Sequence, residues 1–558
     1  MKNQTIISLL CCLLLFVTGC SISHQGNTYD IMTYGAKGDG QTDDAAAIQR
    51  AINACSAAGG GTVIIPAGHT FLCGPLYLKS YVNLHLEPNS RLLANPDESI
   101  YTESAFRENR GEGMMWISGK DLKQISITGT GEIDGNGIAF MGKAKYQMNL
   151  YLITFQSSLN RIESVYDCHK DLFVEIEKFF TLHLVPYTEA ASIPADAYRM
   201  AFIASGGVEK MVTQHFELLP YPIHLLTDGQ QNSLAASLEI ATWIRSKGMK
   251  VHIIHGTIPN MVKQLIDHHK AFAAQREVRG KRIGVVGYSS PWLVASNVDY
   301  LLAKRRWGIE FIDIPMEEVY CLFYQIKDDD IGYEASVFAN RAIACREGTP
   351  EDLLKAMRLY QAVKIICEKK KLDAVTLSCF SLIEKLGTTG CLALALLNDE
   401  GIPAGCEGDL QSIFTLLIAK TLTGQAGFMA NPAFINDDQN EIVMAHCTIA
   451  TKMVDQFIIR NHFETETGIA IQGILHPGGI TMIKCAGECL DEYFVSTGQL
   501  IENTNYINAC RTQARIKLDK PVDYFMRNPL GNHHIILMGD HEKVIHEFMQ
   551  LNSCKLVE

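Results

Sequence analysis

The sequence predicts an α/β protein of several domains behind a short all-β segment, and three observations lead there. Residues 29–142 carry short β-branched runs at close intervals, punctuated by glycine and asparagine, with no amphipathic helix between the runs. From about residue 147 the texture changes to buried-strand runs alternating with helical stretches, the pattern of parallel sheets covered by helices. At 558 residues the chain is also too long for one ordinary core.

Taken in order, the first twenty residues read as an export signal. Lys2 gives a positive start, Ile6 to Val17 is an apolar run, and Val17-Thr18-Gly19-Cys20 sets small residues before a cysteine, as in the lipobox of bacterial lipoproteins. That reading expects acylation at Cys20 and a cell-envelope address, the chain's one membrane attachment. A helix is expected from Asp43 to Ala57, capped by Thr42. Strands are expected at Thr62 to Pro66, Val82 to Leu86, Arg91 to Leu93, Ile125 to Ile127 and Gly131 to Gly135. Strands so spaced read as stacked coils of a β-solenoid, occupying residues 28–143.

After a junction near Met141 to Leu150, an α/β domain spans 147–278, with strands at Leu150 to Phe155, Tyr198 to Ala204, Pro222 to Leu226 and Val251 to Ile254. The last three end in glycine turns, and Leu234 to Lys247 is helical between them. A second α/β domain, 279–389, opens at Lys281-Arg282-Ile283-Gly284-Val285-Val286-Gly287, a strand into a turn suited to a ligand at a sheet's carboxyl edge. Gly284 and Gly287 lack the third glycine and downstream acid of a dinucleotide fingerprint. Asp373 to Leu377 reads as a later strand of this domain. The third region, 390–558, starts with Leu410 to Leu422, apolar almost all round as a central helix is. Strands follow at Glu441 to Ala445, Gly479 to Lys484, Ala514 to Leu518 and His534 to Met538.

A net charge of -12 argues against the basic surface that nucleic acid requires. Seventeen cysteines, twelve of them from Cys168 onward at irregular spacing, read as scattered buried thiols of a reduced, cytoplasmic body rather than a disulfide framework. The body and the export signal therefore give conflicting addresses.

Three places carry candidate chemistry. Gly405-Cys406-Glu407-Gly408-Asp409-Leu410 sets an acid at a glycine-flanked turn, and Met444-Ala445-His446-Cys447 and Gly531-Asn532-His533-His534 supply distant histidines. If folding joins them, the set is that of a divalent-metal centre. Singly, each has a plainer role: a turn acid, a core histidine, and neighbours on one strand facing opposite ways. Asp409 suits a helix N-terminus, and Asp437 and Asp438 suit a polar turn.

Two resemblances add to this. Tyr34-Gly35-Ala36-Lys37-Gly38-Asp39-Gly40-Gln41-Thr42-Asp43-Asp44, with Gly59-Gly60-Gly61-Thr62-Val63-Ile64-Ile65-Pro66, resembles the start of family 28 glycoside hydrolases of the polygalacturonase type. That family's later catalytic Asn-Thr-Asp, Asp-Asp, Gly-His-Gly and Arg-Ile-Lys motifs do not follow here. From about residue 147 onward, Asp373-Ala374-Val375-Thr376, Gly401 to Asp409, Gly427-Phe428-Met429, Ala445-His446-Cys447, Cys510-Arg511-Thr512-Gln513 and Asn528 to His534 resemble the L-fucose and L-arabinose isomerase superfamily, in its fucose isomerase-like branch. The resemblances imply two Rossmann-like α/β domains and a C-terminal mixed α/β, barrel-like domain, preceded by a short, incomplete right-handed β-helix segment. They also imply a homo-oligomer and a sugar substrate.

By the same resemblance, a manganese-type divalent ion (Mn2+) is held by Glu407, His446 and His534, with His533 the weaker of the pair, and Glu407 also takes part in enediol proton transfer between C1 and C2. A second acid expected beside Phe428-Met429 is replaced by Ala430 and Asn431. Two alternatives follow from that departure: a non-catalytic sugar- or metal-binding protein on the isomerase scaffold, or a pectin-degrading glycoside hydrolase remnant.

Overall fold

A computed structural model describes residues 27–88, 90–102, 115–120, 122–135, 148–158 and 164–558. The export signal with Cys20, and the junction up to residue 147, lie outside the described residues. The chain divides into two units, Met1–Gln147 and Met148–Glu558.

In the first unit, β1 (Thr28–Asp30) and β2 (Asp39–Asp43) precede helix α1 (Ala45–Ala57). Then β3 (Gly61–Ile65), β4 (Thr70–Cys73) and β5 (Leu76–Tyr77) make one coil. β6 (Val82–Leu86), β7 (Arg91–Ala94) and β8 (Ile117–Ser118) make the next, and β9 (Ser126–Gly129) and β10 (Glu132–Asp134) open a third. Every pairing is parallel, in sheets β1-β3-β6-β9, β2-β4-β7-β10 and β5-β8, so equivalent residues of successive coils stack. Val63 lies beside Leu84, and Leu84 beside Ile127. Val63 and Leu84 are fully buried while Ile127 is 46% exposed, so the apolar column runs from a covered coil to an open one.

The apolar face of α1, Ile48, Ala51, Ile52 and Cys55, closes the first coil. The expected Thr42 cap is not made: β2 runs through Asp43, and the Thr42 hydroxyl donates to Asp39 instead. Asp44 is buried because its carboxylate accepts the Lys37 and Gly38 N–H groups at 2.7 and 3.0 Å, tying down the glycine loop.

The second unit begins with β11 (Met148–Phe155), β12 (Phe180–Pro186), β13 (Arg199–Ile203), β14 (Ile223–Leu226), helix α2 (Ser233–Ser246), β15 (Val251–Ile254) and helix α3 (Ile258–Glu277). The strands form one parallel sheet of order β12-β11-β13-β14-β15. Alternate residues of β13 go to opposite cores: Met200 and Phe202 pack toward Leu265 of α3, Ala201 and Ile203 toward Ile240 of α2. Next come β16 (Arg282–Val286), β17 (Glu310–Ile314), β18 (Ala344–Cys345), helix α4 (Pro350–Lys370), β19 (Ala374–Leu377) and β20 (Ala404–Cys406). All but β18 form a second parallel sheet, β17-β16-β19-β20.

Helix α5 (Leu410–Thr423) follows, then β21 (Phe428–Asn436), β22 (Glu441–His446), β23 (Gln456–Arg460), β24 (Ala470–Ile474), β25 (Gly478–Ala486), β26 (Glu492–Asn503), β27 (Thr512–Leu518), β28 (His534–Met538), α6 (Glu542–Leu551) and β29 (Lys555–Leu556). β18, β23 and β24 make a small separate sheet. Antiparallel pairings run β25-β28-β21-β22-β27-β26 and return from β26 to β25, closing a six-stranded ring. α5 packs against β19 and β20 on one side and β25 and β28 on the other, which is why it is apolar almost all round.

One pair of cysteines departs from the expected scatter of thiols. Cys379, just after β19, and Cys406, at the end of β20, are joined in a disulfide, because neighbouring parallel strands bring the two loops together. Twelve other described cysteines are free thiols.

Candidate metal centre

Glu407 stands where β20 ends, in a left-handed turn: its φ is +63° and that of Gly408 is +67°. A side chain at 408 would meet the Tyr288 carbonyl oxygen at 2.6 Å, so the loop after β16 comes this close only because 408 is glycine. The turn is held by the Ser290 N–H, which donates to the Glu407 carbonyl at 2.8 Å, and by the Ser289 hydroxyl, which donates to that of Gly408 at 2.7 Å. The carboxylate is aimed by the Trp292 indole N–H, which donates to Oε2 at 2.7 Å. The site thus lies at the carboxyl edge of the second parallel sheet.

Two residues on, Asp409 caps α5, accepting the Ser412 N–H at 2.8 Å. Its Oδ2 accepts the Ser412 hydroxyl at 2.8 Å, lies 2.9 Å from His533 Nδ1 and is 3.8 Å from Lys484 Nζ. Asp409, His533 and Lys484 are all fully buried. Burial would raise the Asp409 carboxyl, but the Lys484 ammonium and the His533 hydrogen bond hold it well below the carboxylate range. A carboxylate so ionised accepts a hydrogen bond from Nδ1–H and fixes the His533 ring.

His533 Nε2 then faces Glu407, 3.7 Å from Oε1, buried and without a hydrogen-bond partner. His446, at the end of β22, completes the group: one ligand atom each from Glu407, His446 and His533 lie within 4.8 Å of one another. Burial opposes protonation of His533, but the Asp409 hydrogen bond and the charges of Asp409 and Glu407 outweigh it and raise its pKa. Burial, with His533 nearby, pushes His446 down to about 3, so that ring is neutral at pH 7. Burial works against Glu407 as well, yet His533, His446 and Trp292 keep its carboxyl below the usual value. Two imidazoles, one of them with an orphaned buried nitrogen, and one carboxylate are a donor set that fits a borderline divalent cation.

Of the residues expected to hold a metal, Glu407 and His446 come together, and the histidine that joins them is His533, not His534. His534 turns the other way, as successive residues of an extended chain do. Its Nε2 lies 3.0 Å from Tyr524 Oη and its Nδ1 3.2 Å from the Asn532 carbonyl, among the rings of Phe494 and Phe525. Ala430 pairs with it across β21 and β28.

Of the three, Glu407 lines a cavity of about 740 Å³. Asn431 stands on its wall, accepting the Asn532 side-chain N–H at 3.0 Å, with Trp292, Phe380 and Glu464. Asp437 and Asp438 lie in the turn between β21 and β22 and do not line that cavity. Trp292, Glu464 and the buried Lys484 were not visible in the sequence; each comes from a separate loop or strand without a local motif.

Comparison with known proteins gives two kinds of likeness. Residues 29–97 match the family model described as rhamnogalacturonase A/epimerase, pectate lyase-like. An exopolygalacturonase of Zea mays is 35% identical over 124 residues, 22% of this chain and 28% of that protein. A sulfoquinovose isomerase of Clostridium sp. (strain MSTE9) is 31% identical over 114 residues, 20% of this chain and 26% of that protein. A second, from Priestia aryabhattai, is 21% identical over 168 residues, 30% of this chain and 37% of that protein, a span that exceeds the first unit and so enters the second. Among solved structures, the hyperthermoactive exopolygalacturonase of Thermotoga maritima is 32% identical, with a TM-score of 0.18 over 20% of this chain and 25% of that one. The chain thus spans about a quarter of the length of the first curated relatives it matches.

Proposed function

We propose that the second unit is a divalent-metal-dependent aldose–ketose isomerase, with manganese as the ion and an open-chain sugar as the substrate. One observation carries this reading: the unpartnered, buried Nε2 of His533 shares its space with Glu407 and His446 beside a cavity large enough for a sugar. Glu407, His446 and His533 would hold the ion, which when bound supplies Lewis-acid polarisation of a carbonyl and its neighbouring hydroxyl.

The chain's own groups account for the proton work. Glu407 is ionised at neutral pH and oriented by Trp292, so it is the base facing the cavity. Isomerisation takes a proton from one carbon, returns it to its neighbour and moves one between the two oxygens, with no net oxidation. Glu464 is the second carboxylate on the wall and is the group to relay the oxygen proton. Asn431 and Asn532 offer hydrogen bonds to hydroxyls and take no proton. The likeness to sulfoquinovose isomerases supports a sugar isomerase and adds a sulfonated hexose to L-fucose and L-arabinose as substrates to try. The proposal extends to a homo-oligomer and to an envelope address for the full-length chain through Cys20.

The test is the purified chain with Mn2+ and those three aldoses. Ketose from at least one, lost in Glu407→Gln, supports the reading; no ketose from any overturns it. A second reading, a sugar-binding protein on the same scaffold, is favoured by the amide of Asn431 where an acid would serve. It is supported if ketose forms only in Asn431→Asp.

A further inference from the structure

A second group of metal-binding atoms lies elsewhere in the same unit. His224 on β14, His268 on α3 and Glu547 on α6 each offer one ligand atom, all within 4.8 Å of one another. His224 Nε2 is 3.4 Å from Glu547 Oε2, and the two imidazole centroids are 3.9 Å apart. Both histidines are buried, 4% and 5% exposed. None of these residues belongs to the Glu407 site.

The surroundings fix which nitrogens are free. His224 Nδ1 lies 3.1 Å from the Pro222 carbonyl, which can only accept, so Nδ1 carries a proton and Nε2, 3.4 Å from Glu547, is the nitrogen able to offer a lone pair. His268 Nδ1 lies 2.9 Å from Tyr198 Oη. Tyr198 spends its own hydroxyl proton on the Leu265 carbonyl at 3.1 Å, so His268 must be the donor and its Nε2 is also a lone pair. That nitrogen is buried with no hydrogen-bond partner. Two imidazole Nε2 atoms and a carboxylate thus converge on one point, one of the nitrogens with no hydrogen-bond partner, an arrangement that a bound cation would satisfy.

We propose that His224, His268 and Glu547 form a second metal site, taking a zinc-class divalent ion. Two imidazoles and one carboxylate suit such an ion, and second hydrogen bonds that set the ring tautomers are what such sites carry. Ligand distances of about 2.0–2.2 Å to a tetrahedral zinc put donor atoms roughly 3.3–3.5 Å apart, the separation His224 and Glu547 already have. The remaining coordination position opens on a cavity of about 420 Å³ that His252, Asp267 and His546 also line, so water or a small ligand can reach the ion. Because β14, α3 and α6 each contribute one ligand, the ion ties the C-terminal helix to the first α/β sheet.

The experiment uses the full chain stripped with chelator. Titration with Co2+, read by its visible absorption, is expected to show one equivalent more in the wild type than in His268→Gln or Glu547→Gln, with affinity at the second site weakened at least 100-fold in each. Both variants retain the equivalent bound at Glu407. Equal stoichiometry in all three proteins overturns the site. Should either variant fail to fold, crystals of the wild-type chain in about 1 mM Zn2+ decide the matter at the zinc edge. An anomalous peak among His224, His268 and Glu547 supports the site, and its absence overturns it.

Discussion

Replacing Asp409 by asparagine tests whether the buried charges beneath Glu407 act as one unit. Asp409 and Lys484 are both fully buried with 3.8 Å between Oδ2 and Nζ. At an effective dielectric constant of about 20, unit charges at that distance attract by about 4 kcal/mol. Removing one member of such a pair strands the other, at about 3–5 kcal/mol, a large part of an ordinary stability of about 5–15 kcal/mol. Asp409→Asn and Lys484→Met are therefore each expected to cost about 3–5 kcal/mol in urea unfolding with chelator present. The double variant is expected to cost less than their sum by at least about 2 kcal/mol, because it leaves no stranded charge. Costs that add to within about 0.5 kcal/mol would refute the coupling. Asp409→Asn is further expected to weaken divalent-metal binding about 10–100-fold, since the amide no longer fixes the His533 ring.

Two further outcomes follow. His533→Gln is expected to lower Mn2+ affinity at least about 10-fold, whereas His534→Gln leaves it within about twofold and lowers stability by about 1 kcal/mol through the lost Tyr524 bond; calorimetric titration and thermal melts separate the two. Asp228 supplies a pH test away from both sites: burial would raise its carboxyl, but the hydrogen bond and charge of His169 lower it. Its folded pKa lies below its unfolded value near 3.9, so its stabilisation is present above that value and is lost as pH falls through the folded one. Asp228→Asn is expected to flatten the dependence of Tm on pH below about pH 4 and leave the slope above pH 6 unchanged.

Much of the architecture could be read from local pattern. Val251–Ile254 and His534–Met538 stand at their expected bounds because short β-branched runs flanked by turn residues have few other uses. α3 escaped notice because lysine, glutamine and histidine interrupt its apolar stripe, and β26 because glycine, serine and threonine dilute its alternation on a closed ring. At the candidate metal centre, Glu407 and His446 were legible from the glycine-flanked acid and its distant partners. The choice between His533 and His534 was not, since it depends on which side of one extended segment faces the turn. Trp292 could not be found at all: it reaches Glu407 across 115 residues, through the packing of β16 beside β19 and β20.

The left-handed backbone at Glu407 bears on whether this centre is a relic. A non-glycine residue in that region costs about 1–3 kcal/mol, and glycine would relieve it. Mutation constrained only by folding would drift toward glycine there, shedding the carboxylate and gaining stability in the same step. Glu407 is held there against its own backbone preference. At this one position the turn's stability and the carboxylate are therefore opposed.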